Sequence, residues 1–285
     1  MNKIYISTSS IKEASIAEIF SKLVEMGITH FELSGGLSYK DDLLDDLLNL
    51  QKQYKLNLLL HNYFPPPKKP FVLNLSAPGE AGEQSLLHAK KTIQWSKELN
   101  ATKLAFHAGF LIDIPIEEIG KSIKKRKLID KDEALNNFRQ RVSLLKKIAG
   151  EEVDLYIENN VVSAKNYKNF DSINPFLFTD QKSWEELELQ GVVKPLIDIA
   201  HLKVSCKTLD LNFEEEWHKL SKLTDYIHVS DNDGFSDNNR TIKEDGEIYS
   251  LLGNTELNGK TITLEVYDKL DEIKHSYRLI KKVLD

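Results

Sequence analysis

The chain has 285 residues and one cysteine, Cys206, which excludes an internal disulfide and a thiolate zinc cluster. Apolar residues make up 41% and charged residues 29%, as in an ordinary globular protein. No stretch approaches the ~20 apolar residues of a membrane span, and the amino terminus lacks the pattern of a signal peptide. We therefore expect a cytoplasmic protein with no membrane partner. The formal net charge of −6 argues against broad electrostatic binding to nucleic acid.

A short apolar strand followed by an amphipathic helix recurs along the chain. The first helix is the clearest, because Ile16, Ile19 and Leu23 share one face, while Ser15 and Glu18 fit a capping box. The predicted strands are Ile4–Ser7, His30–Leu33, Asn57–Asn62, Lys103–Ala108, Val153–Glu158, Val193–Asp198, Tyr226–Asp231 and Thr261–Val266.

Strands that alternate with helices indicate a parallel sheet. Eight such units in 285 residues predict a (β/α)₈ TIM barrel, a single domain spanning residues 1–285. The alternative is a doubly wound open sheet. It is disfavoured because no G-x-G-x-x-G follows any predicted strand.

The polar residues of this pattern fall at the ends of the strands. Six consecutive strands each carry an imidazole or a carboxylate at or near the carboxyl end: His61, His107, Glu158, Asp198, His228 and Glu265. In a barrel all of these ends meet at one mouth, where barrel enzymes build their sites. His201 follows the sixth strand, and Asp231 follows His228 at the end of the seventh.

Carboxylates gathered in one buried place repel one another unless a cation offsets their charge. We therefore predict a divalent metal held by Glu158, Asp198, His228 and Glu265. Three carboxylates and one imidazole suit Mn²⁺ or Mg²⁺, and leave Zn²⁺ or Co²⁺ open. Four further residues are candidates for a second metal or for substrate contacts: His61, His107, His201 and Asp231.

At these residues the chain resembles the xylose isomerase-like barrel superfamily of sugar isomerases and epimerases, inosose dehydratases and endonuclease IV nucleases. The motifs that carry the resemblance are FELS at 31–34, HNYF at 61–64, VLNLSAP at 72–78, FHAG at 106–109, IENN at 157–160, IDIAH at 197–201, HVSDNDG at 228–234 and LEV at 264–266. Their order is more specific than any one motif.

The resemblance implies a metal-dependent isomerase or epimerase of a small sugar. Glu158 and Glu265 would be the catalytic residues that remove and return a proton through a metal-stabilised enediolate. The alternatives are an inosose-type dehydratase and an endonuclease IV-like phosphodiesterase on abasic DNA. In the nuclease branch His61 and His107 would join a second metal and His201 a third. The D-x-H pair of that third site ends here in Asn239.

Loop positions suggest further contacts with the substrate. Tyr63 or Phe64 would lie against a sugar face, Asn160 would contact the substrate, and Arg240 with Lys243 would hold a charged tail. The sequence leaves the identity of the sugar open, and a homo-oligomer stays open as well.

Overall fold

A computed structural model describes residues 3–11 and 15–284. Its eight strands form one closed, parallel barrel in sequential order, so the predicted (β/α)₈ architecture is confirmed. The strands are Lys3–Ser7 (β1), His30–Leu33 (β2), Asn57–His61 (β3), Lys103–His107 (β4), Asp154–Glu158 (β5), Lys194–Asp198 (β6), Tyr226–Val229 (β7) and Thr261–Leu264 (β8).

Ten α-helices among the described residues accompany these strands. They are Ile16–Val24 (α1), Leu43–Tyr54 (α2), Gly79–Glu98 (α3), Lys131–Ala149 (α4), Ala164–Asn169 (α5), Gln181–Glu186 (α6), Ile199–Leu209 (α7), Phe213–Leu220 (α8), Glu247–Gly253 (α9) and Leu270–Leu284 (α10). The capping box of Ser15 and Glu18 forms as predicted. No helix among residues 3–11 and 15–284 combines the length and apolar character that crossing a bilayer requires.

Several strands end earlier than the sequence pattern predicted. β7 stops at Val229 and β8 at Leu264, so Asp231 and Glu265 lie in the segments that follow them. Beyond β7, the backbone of Asp231 pairs with a loop and not with a strand. Asp231 exchanges both backbone hydrogen bonds with Arg240.

The barrel lumen is packed below the mouth. One layer of buried side chains crosses it, formed by Tyr5, Leu59, Ala105, Tyr156, Leu196 and Tyr226. At the amino-terminal end of the strands, Asp225 accepts hydrogen bonds from Lys103 Nζ at 2.6 Å and from Tyr156 Oη at 2.5 Å. Lys194 Nζ lies 2.5 Å from the other oxygen of Asp225. The lumen is therefore closed at this end by paired charges, which lie beneath a layer that contains three tyrosines.

Two long segments lie on the mouth side, after β3 and after β4. A second apolar cluster anchors the segment after β4, where Phe110 pairs with Phe176 in an antiparallel bridge. Asn74 ties the two segments together, because its amide donates to the Phe110 carbonyl at 3.0 Å. The walls of the mouth are thus held by loop packing as well as by the strands.

Candidate metal centre

Glu158 lies at the centre of the mouth. Strand register brings its neighbours to it, because His107 is paired with Glu158 across β4 and β5, and Asp198 with His228 across β6 and β7. The Glu158 side chain is 1% exposed. Such a buried carboxylate needs nearby positive charge or hydrogen-bond donors to remain ionised.

Four residues form what we call the Glu158 cluster: Glu158, Asp198, His228 and Glu265. Each offers one potential ligand atom, and these atoms all lie within 4.8 Å of one another. His228 Nδ1 lies 3.3 Å from Glu158 Oε1 and 3.3 Å from Glu265 Oε2.

The donor atoms of this cluster lack partners of their own. Within the described chain, Glu158 Oε1, Asp198 Oδ2 and His228 Nδ1 are buried and make no hydrogen bond. Buried polar atoms are nearly always satisfied in folded proteins. Three unsatisfied donor atoms that face one another therefore fit a divalent cation bound between them.

Asp198 is fixed on both sides by the local chain. Its side chain caps α7 by accepting a hydrogen bond from the His201 backbone amide at 2.8 Å. The Asn159 side chain accepts from the Asp198 backbone amide at 2.7 Å and donates to the Asp198 carbonyl at 3.1 Å. One Asp198 oxygen is thus used by the fold, and the other is left for the cluster.

His61 and His107 approach the second oxygen of Glu158. His61 Nε2 lies 2.7 Å and His107 Nδ1 lies 3.1 Å from Glu158 Oε2. His61 and His107 each belong to a further potential ligand group that includes Glu158, the first with His228 and the second with His201. The geometry therefore brings both histidines to the site, as candidates for a second cation or for substrate contacts.

His201 faces Asp237 on the outer side of the mouth. Its Nδ1 bonds to the Asn159 carbonyl at 2.9 Å, and its Nε2 lies 3.1 Å from Asp237 Oδ2. Asn239 is buried, with its side-chain oxygen 3.5 Å from Ser230 Oγ. The Asp237 carboxylate thus pairs directly with His201, and Asn239 lies outside every potential ligand group found among the described residues.

Electrostatics keeps two of the carboxylates ionised. Burial acts to raise the pKa of Glu158, but His107, His61 and His228 hold it well below its usual range. Burial acts to raise the pKa of Glu265 as well, but the nearby His228 ring lowers it to about 2. Burial, reinforced by the charge of Glu158, raises the pKa of Asp198 to about 7. Burial lowers the pKa of His107 to about 4.

Glu265 has two partners that the sequence analysis missed. Ser9 Oγ donates to Glu265 Oε1 at 3.0 Å, and Tyr267 Oη donates to the same oxygen at 2.6 Å. These bonds turn Glu265 Oε2 toward His228. Tyr267 follows Glu265 by two residues, so period-2 alternation beyond the strand end was the available signal.

Glu32 was also missed. It lies in the middle of β2, is fully buried, and contacts His228 from below the cluster. A carboxylate between apolar residues of a buried strand was the sequence signal, since such a group is rarely buried without a partner.

Asp231 does not join the cluster. Asp231 pairs with Lys203 Nζ at 3.0 Å and belongs to none of the potential ligand groups among the described residues. Its expected role as a second-metal ligand is therefore not supported by its position. Arg240 and Lys243 are exposed on the loop that follows β7.

The residues predicted to contact the substrate through a ring or an amide have different surroundings in the structure. Tyr63 is half-buried and its hydroxyl accepts a hydrogen bond from the Leu73 amide at 3.3 Å. The expectation for Phe64 is wrong, because this ring is fully buried, 5.9 Å from the Trp95 ring. Asn160 donates to backbone carbonyls of Ala108, Gly109 and Leu177, which gives it a role in holding loops together.

The family model described as "Xylose isomerase-like TIM barrel" matches residues 20–283. The chain belongs to this family. The match covers seven of the eight strands and all residues of the Glu158 cluster. No curated protein matches the chain in sequence.

Solved structures share the fold at low sequence identity. One is a D-tagatose 3-epimerase-like protein, with a TM-score of 0.73, 20% identity, and coverage of 99% of this chain and 97% of that one. A D-psicose 3-epimerase from Clostridium cellulolyticum has a TM-score of 0.64 and 14% identity, with coverage of 99% of this chain and 97% of that one. An endonuclease IV from Thermus thermophilus has a TM-score of 0.61 and 13% identity, with coverage of 99% of this chain and 98% of that one. The family fold therefore accommodates both sugar epimerases and a nuclease.

Proposed function

We propose that the protein is a divalent-metal-dependent isomerase or epimerase of a small sugar. One observation carries the proposal: two carboxylates, Glu158 and Glu265, each lie 3.3 Å from His228 Nδ1. An epimerase removes a proton from one face of a carbon and returns a proton to the opposite face. It therefore needs one base on each side of that carbon. The fold shared with the tagatose and psicose 3-epimerases supports the assignment and favours a ketose as substrate.

The Glu158 cluster would hold the cation, with Asp198 and His228 as ligands that carry no further chemical role. Its ligand set is rich in oxygen and suits Mn²⁺ or Mg²⁺ best, while the imidazole keeps Zn²⁺ or Co²⁺ compatible. When bound, the cation would supply Lewis-acid polarisation of the sugar carbonyl.

The two glutamates would divide the proton transfer. Glu265 is more accessible, with a side chain 14% exposed, and its Oε1 is held by Ser9 and Tyr267. Glu158 lies deeper, with His61 and His107 on its Oε2. Both carboxylates have lowered pKa values, so both are ionised and can accept a proton at neutral pH.

Substrate contacts are proposed from the same face. The half-buried ring of Tyr63 offers a surface for a sugar, and the exposed Arg240 and Lys243 offer charge for a phosphate or carboxylate group.

Incubation with a panel of ketoses and keto-inositols in D₂O tests this function. We expect deuterium at the α-carbon and formation of the epimer by the metal-loaded wild type. Glu158→Gln and Glu265→Gln should each cut turnover by at least ~100-fold, the lower end of general acid–base contributions. Glu247→Gln is the matched control, because Glu247 lies on the same side of the barrel and pairs with Lys203.

Normal exchange in both glutamine variants would contradict the proposal. Loss of water from a keto-inositol, with the same dependence on the two glutamates, would assign a dehydratase instead, since both reactions begin with α-proton removal.

A second function, cleavage of a phosphodiester in abasic DNA, is favoured by one observation. Glu158 belongs to three potential ligand groups, and its two oxygens face different histidines: Oε1 faces His228, whereas Oε2 faces His61 and His107. A carboxylate that bridges two cations is typical of sites that displace a phosphate ester. Incision of an abasic duplex by wild type, with two cations bound per chain and no exchange into sugars, would support this function over the first.

A further inference from the structure

Glu32 is a carboxylate buried inside the barrel, one layer below the Glu158 cluster. Its residue is 0% exposed. A single oxygen, Oε2, faces three donors: His228 Nε2 at 2.9 Å, Thr263 Oγ1 at 3.1 Å, and the Tyr226 hydroxyl. The other oxygen, Oε1, makes no hydrogen bond to any described residue.

A carboxylate buried in this way is energetically unfavourable, which suggests that it has a role in the Glu158 cluster above it. Burying a carboxylate away from water is unfavourable, and hydrogen bonds to its oxygens offset that cost. Packing alone would be met by an apolar side chain, like those of Leu59 and Leu196 in the lumen. The two hydroxyl donors instead meet on the same oxygen that touches His228, which holds this oxygen against the imidazole.

Contact with Glu32 determines which nitrogen of His228 faces the cluster. Nε2 lies 2.9 Å from Glu32 Oε2, and a carboxylate in this place favours the tautomer with the proton on Nε2. Nδ1 is the nitrogen that points to Glu158 and Glu265. We propose that Glu32 is a positioning residue, which fixes the ring orientation and tautomer of His228 so that Nδ1 is ready to bind the cation. The inference rests on the proposed function, because it concerns a ligand of the proposed metal.

Tyr226 and Thr263 would act through Glu32. Their hydroxyls lie on neighbouring strands, β7 and β8, and hold the carboxylate from two further directions. Carboxylates that accept the second N–H of a metal-bound histidine typically contribute 10–100-fold to metal affinity. Removing one hydroxyl should therefore weaken the cation less than removing the charge of Glu32.

Zinc affinity, measured by competition with a chromogenic chelator, tests the inference without any assay of activity. We expect Glu32→Gln to weaken Zn²⁺ binding by about 10–100-fold, and Tyr226→Phe or Thr263→Val to weaken it less. Tyr156→Phe is the matched control, because it removes a lumen hydroxyl that bonds to Asp225 and leaves Glu32 untouched. Circular dichroism and melting curves would establish that each variant is folded.

A second measurement addresses the ring itself. In Zn²⁺-loaded protein labelled with ¹⁵N-histidine, the His228 proton should reside on Nε2 and exchange slowly with water in wild type. It should exchange faster in Glu32→Gln.

The outcomes separate the two proposals. Equal Zn²⁺ affinity in wild type and in folded Glu32→Gln overturns the positioning role and leaves the proposed function standing. A wild type that binds no cation overturns both. Loss of affinity in Glu32→Gln, with no sugar turned over by wild type, supports the positioning role and contradicts the proposed substrate class.

Discussion

His61 Nε2 lies 2.7 Å from Glu158 Oε2, on the oxygen opposite the one that faces His228. Both candidate functions would use this contact, but His61 would have a different role in each. For a sugar epimerase, His61 would touch the substrate or hold Glu158 in place. For a phosphodiesterase, it would be a ligand of a second cation.

His61→Ala and His107→Ala therefore discriminate between the functions. In the proposed epimerase, we expect both variants to keep the first cation, to raise KM for the sugar, and to slow deuterium exchange less than Glu158→Gln does. His218→Ala is the control, because this histidine lies on α8 and contacts Lys222. Loss of one bound cation in both variants, together with loss of incision of abasic DNA, would contradict the epimerase.

Asp198→Asn should lose the cation while the protein remains folded. Asparagine caps a helix as well as aspartate does, so α7 keeps its cap while the ligand charge disappears. Elemental analysis after dialysis checks the result. Asp231→Asn should retain the cation, because Asp231 pairs with Lys203 instead. Equal metal content in Asp198→Asn and wild type would rule out this ligand.

Metal removal should lower the melting temperature. A cation that binds only the folded chain, at ~100-fold excess over its Kd, adds roughly 2.7 kcal/mol to the free energy of unfolding. For a chain of this size we expect a fall of about 5 °C after chelation. Differential scanning calorimetry with and without chelator measures it, and Asp198→Asn should show no such fall. A wild-type transition that ignores the metal concentration would argue against a preformed site.

Stability should also fall in acid through His88, a buried residue of α3 outside the site. Burial lowers the pKa of His88 to about 4, whereas an unfolded histidine titrates at about 6.5. Between these values the unfolded chain binds the extra proton, so the contribution is fully present above pH ~6.5 and is lost as the pH falls toward ~4.

The expected loss is about 3 kcal/mol across that range. Urea unfolding of chelator-treated wild type and His88→Leu, at pH 7.5 and pH 4.5, checks it. The difference between the two proteins isolates His88 from the other titrating groups. A parallel decline of wild type and variant would show that His88 does not carry the effect.

The fold was predictable because each strand and helix repeats the same local signal. Ser15 and Glu18 capped α1 as expected, and the strands ended within two residues of their predicted bounds. The convergence of Glu158, Asp198 and His228 followed from barrel closure alone, since parallel strands deliver their carboxyl ends to one place.

The exceptions have physical causes. Position after a strand does not fix the direction of a side chain, and Asp231 turned to Lys203 because β7 had already ended. Phe64 follows His61 closely but packs into the core beside Trp95. Glu32 escaped notice because its partners come from β7 and β8, about 200 residues away in sequence.

The charged residues that close the amino-terminal end of the lumen determine how molecules can reach and leave the site. Asp225, Lys103 and Lys194 seal one end, and Tyr156 and Tyr226 fill the space above them. In the proposed enzyme, the sugar, the cation and water would all enter at the mouth, and the product would leave by the same opening. A ligand that blocks the mouth would stop both binding and release, so a molecule already bound in the site would be trapped there.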